Sequence, residues 1–337
     1  MLFQPAIIAL LLASSVSALM LLASGPFALS LIRHWDIRSG SERQLGLERR
    51  TYLISTLLAF VFATQLVALL LFIFNADKMS VMFVGAMCAV GTLNVNAFGF
   101  PALIAQMVVF FLASSWLVVN HVDTRARDYP LTRIKYALLL AILPFVIAAF
   151  ALQLEYFLGL KANVITSCCG SLFSTDSKTL AAEASAFPPL PSMAAFYASL
   201  ALAVVTCGWY ALRADAGAGI GYAAAAAGAA VFVVALAGVL SFLSLYIYEH
   251  PHHHCPFCVL KPEYDYRGYW LYVPLFAATA ASLGVGAVQP FARVASLRAI
   301  VPQAARRLAM VAALLFALFA AVSTFLILNS NLILLES

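Results

Sequence analysis

An all-α, polytopic transmembrane bundle of about eight spans is the fold this chain predicts, and three observations carry that expectation. Hydrophobic residues make up 64% of its 337 residues and charged residues only 10%, against about 25% charged in a soluble domain. Its mean hydropathy of +0.98 leaves too much apolar surface for one water-soluble core, so lipid must serve as the solvent. Apolar runs of about 20 residues, the length that crosses the hydrocarbon as a helix, recur along the whole sequence.

The runs lie at Ala6–Ile32, Leu53–Phe74, Ala102–Val119, Ala137–Tyr156, Met193–Leu212, Tyr222–Ile247, Trp270–Val288 and Leu308–Leu328. Between the second and third, Met79–Pro101 is too polar and Gly-rich for a span and reads as a short interfacial helix or a re-entrant piece. The sixth run is rich in alanine and glycine from Ala223 to Ala230, a composition that lets helices approach closely. Residues 1–337 read as a single integral membrane domain, with two longer loops at 157–192 and 248–269. No ionisable residue sits in the middle of a span, which argues against a proton-driven transporter; Gln65, Gln106, Asn94 and Asn96 are the polar candidates for lining a path.

Orientation follows from lysine and arginine. Arg33, Arg38, Arg43, Arg49, Arg50, Arg125, Arg127, Arg133, Lys135, Arg213, Arg293, Arg298, Arg306 and Arg307 fall on one side, and Lys78, Lys161, Lys178, Lys261 and Arg267 on the other. The positive-inside rule places the first set in the cytoplasm and both termini outside. This asymmetry accounts for the net charge of +5, and no nucleic-acid partner is inferred. The first apolar run lacks a basic segment before it and reads as a span rather than a secretory leader. The expected location is an inner membrane of bacterial type.

Chemistry concentrates on the outer side. Cys88, Cys168, Cys169, Cys255 and Cys258 all map there, together with His250, His252, His253 and His254. Cys207 lies inside the fifth span and reads as a small core residue. Outside the membrane, thiols form disulfides, hold metal or exchange electrons.

The segment from Glu249 to Cys258, Glu-His-Pro-His-His-His-Cys-Pro-Phe-Cys, is the densest cluster. Cys255 and Cys258 are spaced to chelate one ion with His252 and His254 completing the shell, to act as a redox dithiol, or to staple the loop. Adjacent cysteines such as Cys168 and Cys169 close a ring only with strain, so they pair elsewhere, bind a soft ion or exchange with the Cys255/Cys258 pair. Met79, Met82 and Met87 beside Cys88 add soft thioether donors, which favour Cu(I); as apolar side chains they also fill gaps between helices.

Cys255-Pro256-Phe257-Cys258 resembles the dithiol of glutaredoxin-type proteins in those four residues. Cysteine pairs on the outer face of a helical bundle are similar in arrangement to the disulfide-generating membrane proteins of the vitamin K epoxide reductase type, which have about half as many spans. That resemblance implies thiol exchange with a quinone or a thioredoxin-like protein as electron acceptor.

The expected function is handling of a soft or borderline transition metal, copper or zinc, for capture, delivery to a periplasmic metallochaperone, or metalloprotein assembly. Cys255, Cys258, His252 and His254 would be primary ligands, and Cys168, Cys169, Cys88 and Met87 would receive or pass on the ion. Two alternatives stand beside it: a thiol–disulfide oxidoreductase using Cys255 and Cys258, and a disulfide-stapled structural subunit. The residues alone do not decide whether the chain is an enzyme.

Overall fold

The computed structural model describes residues 4–37, 39–161, 164–166, 187–213 and 217–332, and among these residues it is helical with no strands. Eight helical segments are long and apolar enough to cross a membrane. Each contains one of the eight apolar runs and extends beyond it, most at the second, which begins at Glu42 rather than Leu53.

Helix α1 spans Pro5–His34, opened by a proline whose missing N–H is harmless in the first turn and closed by Arg33 and His34, which suit the negative end of the helix dipole. Helix α2, Glu42–Lys78, is capped by Ser41, whose hydroxyl accepts from the Gln44 N–H at 3.3 Å. At 37 residues it is about 55 Å long, well beyond a hydrocarbon layer of about 30 Å, so its charged first turns stand outside the apolar stretch. A 3-10 turn at Met79–Met82 and the short helix α3, Ala89–Leu93, follow. The interrupted segment is therefore two short helical pieces rather than a span. Helices α4 (Gly99–Asp123) and α5 (Thr132–Leu158) come next, then α6 (Pro189–Leu212) and α7 (Ala218–Gly238). A π-helical turn, Val239–Leu243, joins α7 to α8 (Ser244–Tyr248) as one continuous rod. Helices α9 (Arg267–Val288) and α10 (Ile300–Leu328) complete the chain.

The helices sort into two compact units. The first comprises residues 1–79, 92–164 and 291–301. Its four long helices close a ring, with α1 against α2 and α5, and α4 against α2 and α5. Phe62 and Trp116 pack at 4.8 Å between ring centroids in its core, beside fully buried Tyr136.

Polar groups tie this ring together. Gln153 Oε1 accepts from Ser14 Oγ at 3.0 Å and from Gln106 Nε2 at 2.7 Å, joining α1, α4 and α5. Gln106 thus serves as interhelical glue in an apolar surrounding. Asn96 likewise closes a chain break: its Nδ2 donates to the Tyr156 carbonyl at 2.9 Å and its Oδ1 accepts the Phe98 N–H at 3.0 Å.

Lys135 corrects the sequence reading. It was expected in a basic loop, yet it lies in the first turn of α5, 1% exposed, with its Nζ 2.7 Å from Oδ2 of Asp123, the fully buried last residue of α4. Nζ also donates to Asn120 Oδ1 at 3.2 Å and Ser55 Oγ at 3.3 Å. Asp123 Oδ1 accepts the Leu131 N–H at 2.7 Å. Apolar runs mark where hydrocarbon begins, but they cannot reveal that the connection folds back and seals this pair inside.

The second unit comprises residues 80–91, 165–290 and 302–337. Here α7 lies centrally between α6 and α9. Gly228 allows the α7–α9 approach, since a Cβ there would fall 1.9 Å from Ser282 Oγ. Helix α10 packs on α6 through Phe196 and Phe319, and through Tyr197 Oη with Thr324 Oγ1 at 3.0 Å. Cys207 is fully buried on α6, as a small core residue should be. Residues 80–91 belong to this unit although they are threaded between two stretches of the first.

A candidate three-thiol metal centre

The site forms where the α7–α8 rod ends. Glu249 adopts a left-handed conformation at φ 52° and ends the helix, with its N–H on the Leu245 carbonyl. The chain then turns through 250–257 into 3-10 turns at Cys258–Leu260 and Pro262–Tyr264, and two further left-handed residues, Asp265 and Tyr266, aim it into α9. Tyrosines from both flanking helices hold the intervening Cys-Pro-Phe-Cys turn. Tyr248 Oη donates to the Cys255 carbonyl at 2.5 Å, and Tyr272 Oη donates to the Pro256 carbonyl at 2.7 Å. Val259 and Leu260 pack over Gly268 beneath it.

The third cysteine arrives on residues 80–91. The Thr166 N–H donates to the Val84 carbonyl at 2.9 Å, and Thr166 Oγ1 donates to the Gly91 carbonyl at 2.9 Å. These two bonds bracket Cys88. Gly85 makes the approach possible: its φ is +86°, a region only glycine enters freely, and a Cβ there would lie 2.0 Å from the Thr166 carbonyl oxygen.

Cys88, Cys255 and Cys258 meet with all three sulfurs within 4.8 Å of one another, and the Cys88 and Cys255 sulfurs are 3.3 Å apart. Cys88 and Cys255 are fully buried and Cys258 is 7% exposed. No disulfide joins them. Hydrogen bonds from Cys258 and then Cys88 hold the Cys255 thiol well below its ordinary range, despite burial. Donation to Cys255 and Cys88, together with burial, pushes Cys258 up. The cluster shares its hydrogen bonds among three sulfurs, so a cation could take the place of those protons.

The histidines surround this cluster without joining it. His254 Nδ1 pairs with the Leu240 carbonyl at 2.7 Å, inside the π-helical turn. With Nδ1–H as the donor, Nε2 keeps its lone pair, the form in which imidazole binds metal. Burial, then the neighbouring His252 and His253, lower the His254 pKa against the opposing Leu240 bond. His252 is exposed, its N–H donating to His250 Nδ1 at 3.2 Å. His253 stacks on Tyr248 with ring centroids 4.0 Å apart. Met87 is 70% exposed beside buried Cys88. Cys168 and Cys169 lie outside the described residues.

A buried Cys88/Cys255/Cys258 group can thus hold a metal ion. Two of its members were the primary candidates from spacing. Cys88 was expected only as a secondary group, because nothing local to residue 88 announces contact with residue 255. The supporting Tyr248 and Tyr272 and the Leu240 carbonyl carried no sequence signal. No family model, curated protein or solved structure matches this chain.

Proposed function

We propose that this is a multi-pass inner-membrane protein that captures a soft transition metal, copper or zinc, at an extracytoplasmic three-thiol centre and hands it to a partner. The observation that supports this reading is the convergence of three buried sulfurs from two distant segments. A loop staple would need two cysteines, and a plain dithiol needs no third. Thiolates select soft ions. Moving Lys135 from the basic loops into a buried pair leaves the positive-inside asymmetry intact, which supports an outer location for the loop carrying Cys255. Exposed His250 and His252 beside the buried sulfurs suit a first contact with an incoming ion or with a periplasmic metallochaperone.

The test is metal content and thiol count on gently purified, intact protein. About one ion per chain, with Cys88, Cys255 and Cys258 resistant to alkylation until a chelator is added, is expected. Cys255→Ser and Cys258→Ser should each lose the ion. Metal-free protein with reactive thiols, in preparations made without chelator, would refute the proposal.

The 3.3 Å separation of the Cys88 and Cys255 sulfurs favours one second reading, thiol–disulfide exchange. In it the Cys88 thiolate attacks a Cys255–Cys258 disulfide at Cys255. A Cys88–Cys255 bond forms, and Cys258 leaves as thiolate. As purified, the protein would then carry one disulfide, Cys255–Cys258 or Cys88–Cys255, with one of the three thiols free, whereas a metal centre would leave all three thiols titratable after chelation under anaerobic conditions.

A further inference from the structure

We infer that His254 is a positioning residue of the thiol centre, its Nδ1–H seating Cys255 by docking on a carbonyl that the π-helical turn presents; this rests on the metal reading above and names what orders that site. In a regular helix the Leu240 carbonyl would accept from the Ser244 N–H. Here that N–H points to the Val239 and Phe242 carbonyls instead, the wider step of a π turn. The turn, Val-Leu-Ser-Phe-Leu, holds no proline or glycine of its own, so no helix breaker within it forces the change. A carbonyl in an apolar bundle that loses its helical donor needs compensation. His254 brings it, with Nδ1 2.7 Å from the Leu240 oxygen. A carbonyl only accepts, so the ring carries a proton on Nδ1.

This bond sets where Cys255 stands. Leu240 lies about 12 Å down the rod from Tyr248. The chain leaves the helix at Glu249 and folds back along the rod until His254 reaches that carbonyl. The next residue is Cys255, whose sulfur is 3.3 Å from that of Cys88. Tyr248 Oη holds the Cys255 carbonyl at 2.5 Å and Tyr272 Oη holds the Pro256 carbonyl at 2.7 Å. The imidazole thus anchors the amino side of Cys255 while the two phenols anchor its carboxyl side. The neighbouring histidines are attached differently: His252 is exposed, and His253 stacks on the Tyr248 ring. Metal–sulfur distances tolerate about 0.2 Å, so losing the amino-side anchor displaces the sulfur by more than a metal centre accepts.

The experiment compares His254→Asn, His254→Gln and His254→Leu with the parent as intact, detergent-solubilised, reduced protein. Asn places an amide N–H where the imidazole carries Nδ1–H, whereas Gln places it where the ring carries Nε2. The readouts are affinity for Zn(II), supplied as the chloride, and for Cu(I), supplied as its bicinchoninate complex, and the alkylation rate of Cys255 in metal-free protein. His254→Gln and His254→Leu should bind about 10- to 100-fold more weakly, the loss typical of an outer supporting group, and alkylate faster at Cys255. His254→Asn should restore both readouts. Spectra of nitrogen-labelled histidine should show an Nδ1–H signal in the metal-free parent that His254→Asn deletes. The Asn–Gln comparison keeps the test valid if His254→Leu fails to fold. Rescue by Gln and not Asn, equal loss in Asn and Gln, or no loss in any variant would overturn the inference. A parent that binds neither ion would refute the metal reading alone, since the order of Cys255 alkylation rates still decides whether His254 seats that residue.

Discussion

Gly85→Ala should dismantle the metal centre without touching a ligand. The new Cβ would stand 2.0 Å from the Thr166 carbonyl oxygen, where ordinary contact begins at 3.4 Å. One side must therefore retreat by about 1.4 Å. The obstacle is backbone rather than a swinging side chain, so the retreat is a movement of the 80–91 segment or of Thr166 itself. A φ of +86° costs a non-glycine residue about 1–3 kcal/mol. Losing the Thr166–Val84 hydrogen bond adds about 1 kcal/mol. The sum, about 2–4 kcal/mol, corresponds to roughly 30- to 1000-fold in an equilibrium constant. Metal–sulfur bonds tolerate only about 0.2 Å of misplacement, so displacement of Cys88, three residues on, falls on the ligand set. Metal affinity of Gly85→Ala should drop toward that of Cys88→Ser, with Cys255 and Cys258 becoming open to alkylation. Gly208→Ala, at a glycine with nothing within 4 Å, should bind as the parent does. A folded Gly85→Ala protein with parental affinity and parental thiol protection would refute the claim that this glycine seats Cys88.

Two further outcomes follow from the structure. Asp123→Asn strands the buried Lys135 ammonium and should cost about 3–5 kcal/mol in detergent unfolding, while the double change with Lys135→Met should recover most of the loss; equal destabilisation by single and double variants would show that the pair is not coupled. Glu249 is held below the usual carboxylate range by hydrogen bonds from the side chain and then the backbone of Asn331, with help from Arg267. A depressed carboxylate contributes stability above its unfolded value and loses it as pH falls through its folded value. Acidification below the ordinary glutamate range should therefore release residues 330–332, seen as faster amide exchange at Asn331 beyond the intrinsic pH trend. Glu249→Gln should remove that step, and an unchanged step would place its origin elsewhere.

The eight spans were legible because the bilayer imposes length and composition on each helix independently of its neighbours. Boundaries shifted at the ends, as at α2, whose start is set by the Ser41 cap, and at α6, which opens on Pro189. The site was half legible. Cys255 and Cys258 announce themselves by spacing, but Cys88 joins them across 167 residues, and a contact of that range leaves no periodic trace. His252 and His254 looked equivalent to Cys255 by proximity in sequence. Backbone hydrogen bonding and exposure separate them, since each depends on where the chain turns after Tyr248. Lys135 was misplaced for the same reason: a charge near the end of an apolar run can face water or be sealed by a partner, and only Asp123 decides which.

The order of the ligands along the chain gives the centre a timetable. Cys88 is synthesised 167 residues before Cys255, and at about 5–20 residues per second roughly 8–33 s pass before its partners exist. Through that interval Cys255 and Cys258 do not yet exist, and α9 and α10, which belong with residues 80–91 to the second unit, are still to be made. The three-thiol cluster cannot form until residue 258 has been made, and a chain that stalls or is truncated before that point cannot close it. Metal held by all three sulfurs would then report that synthesis has passed residue 258, so loading could follow that point but not precede it.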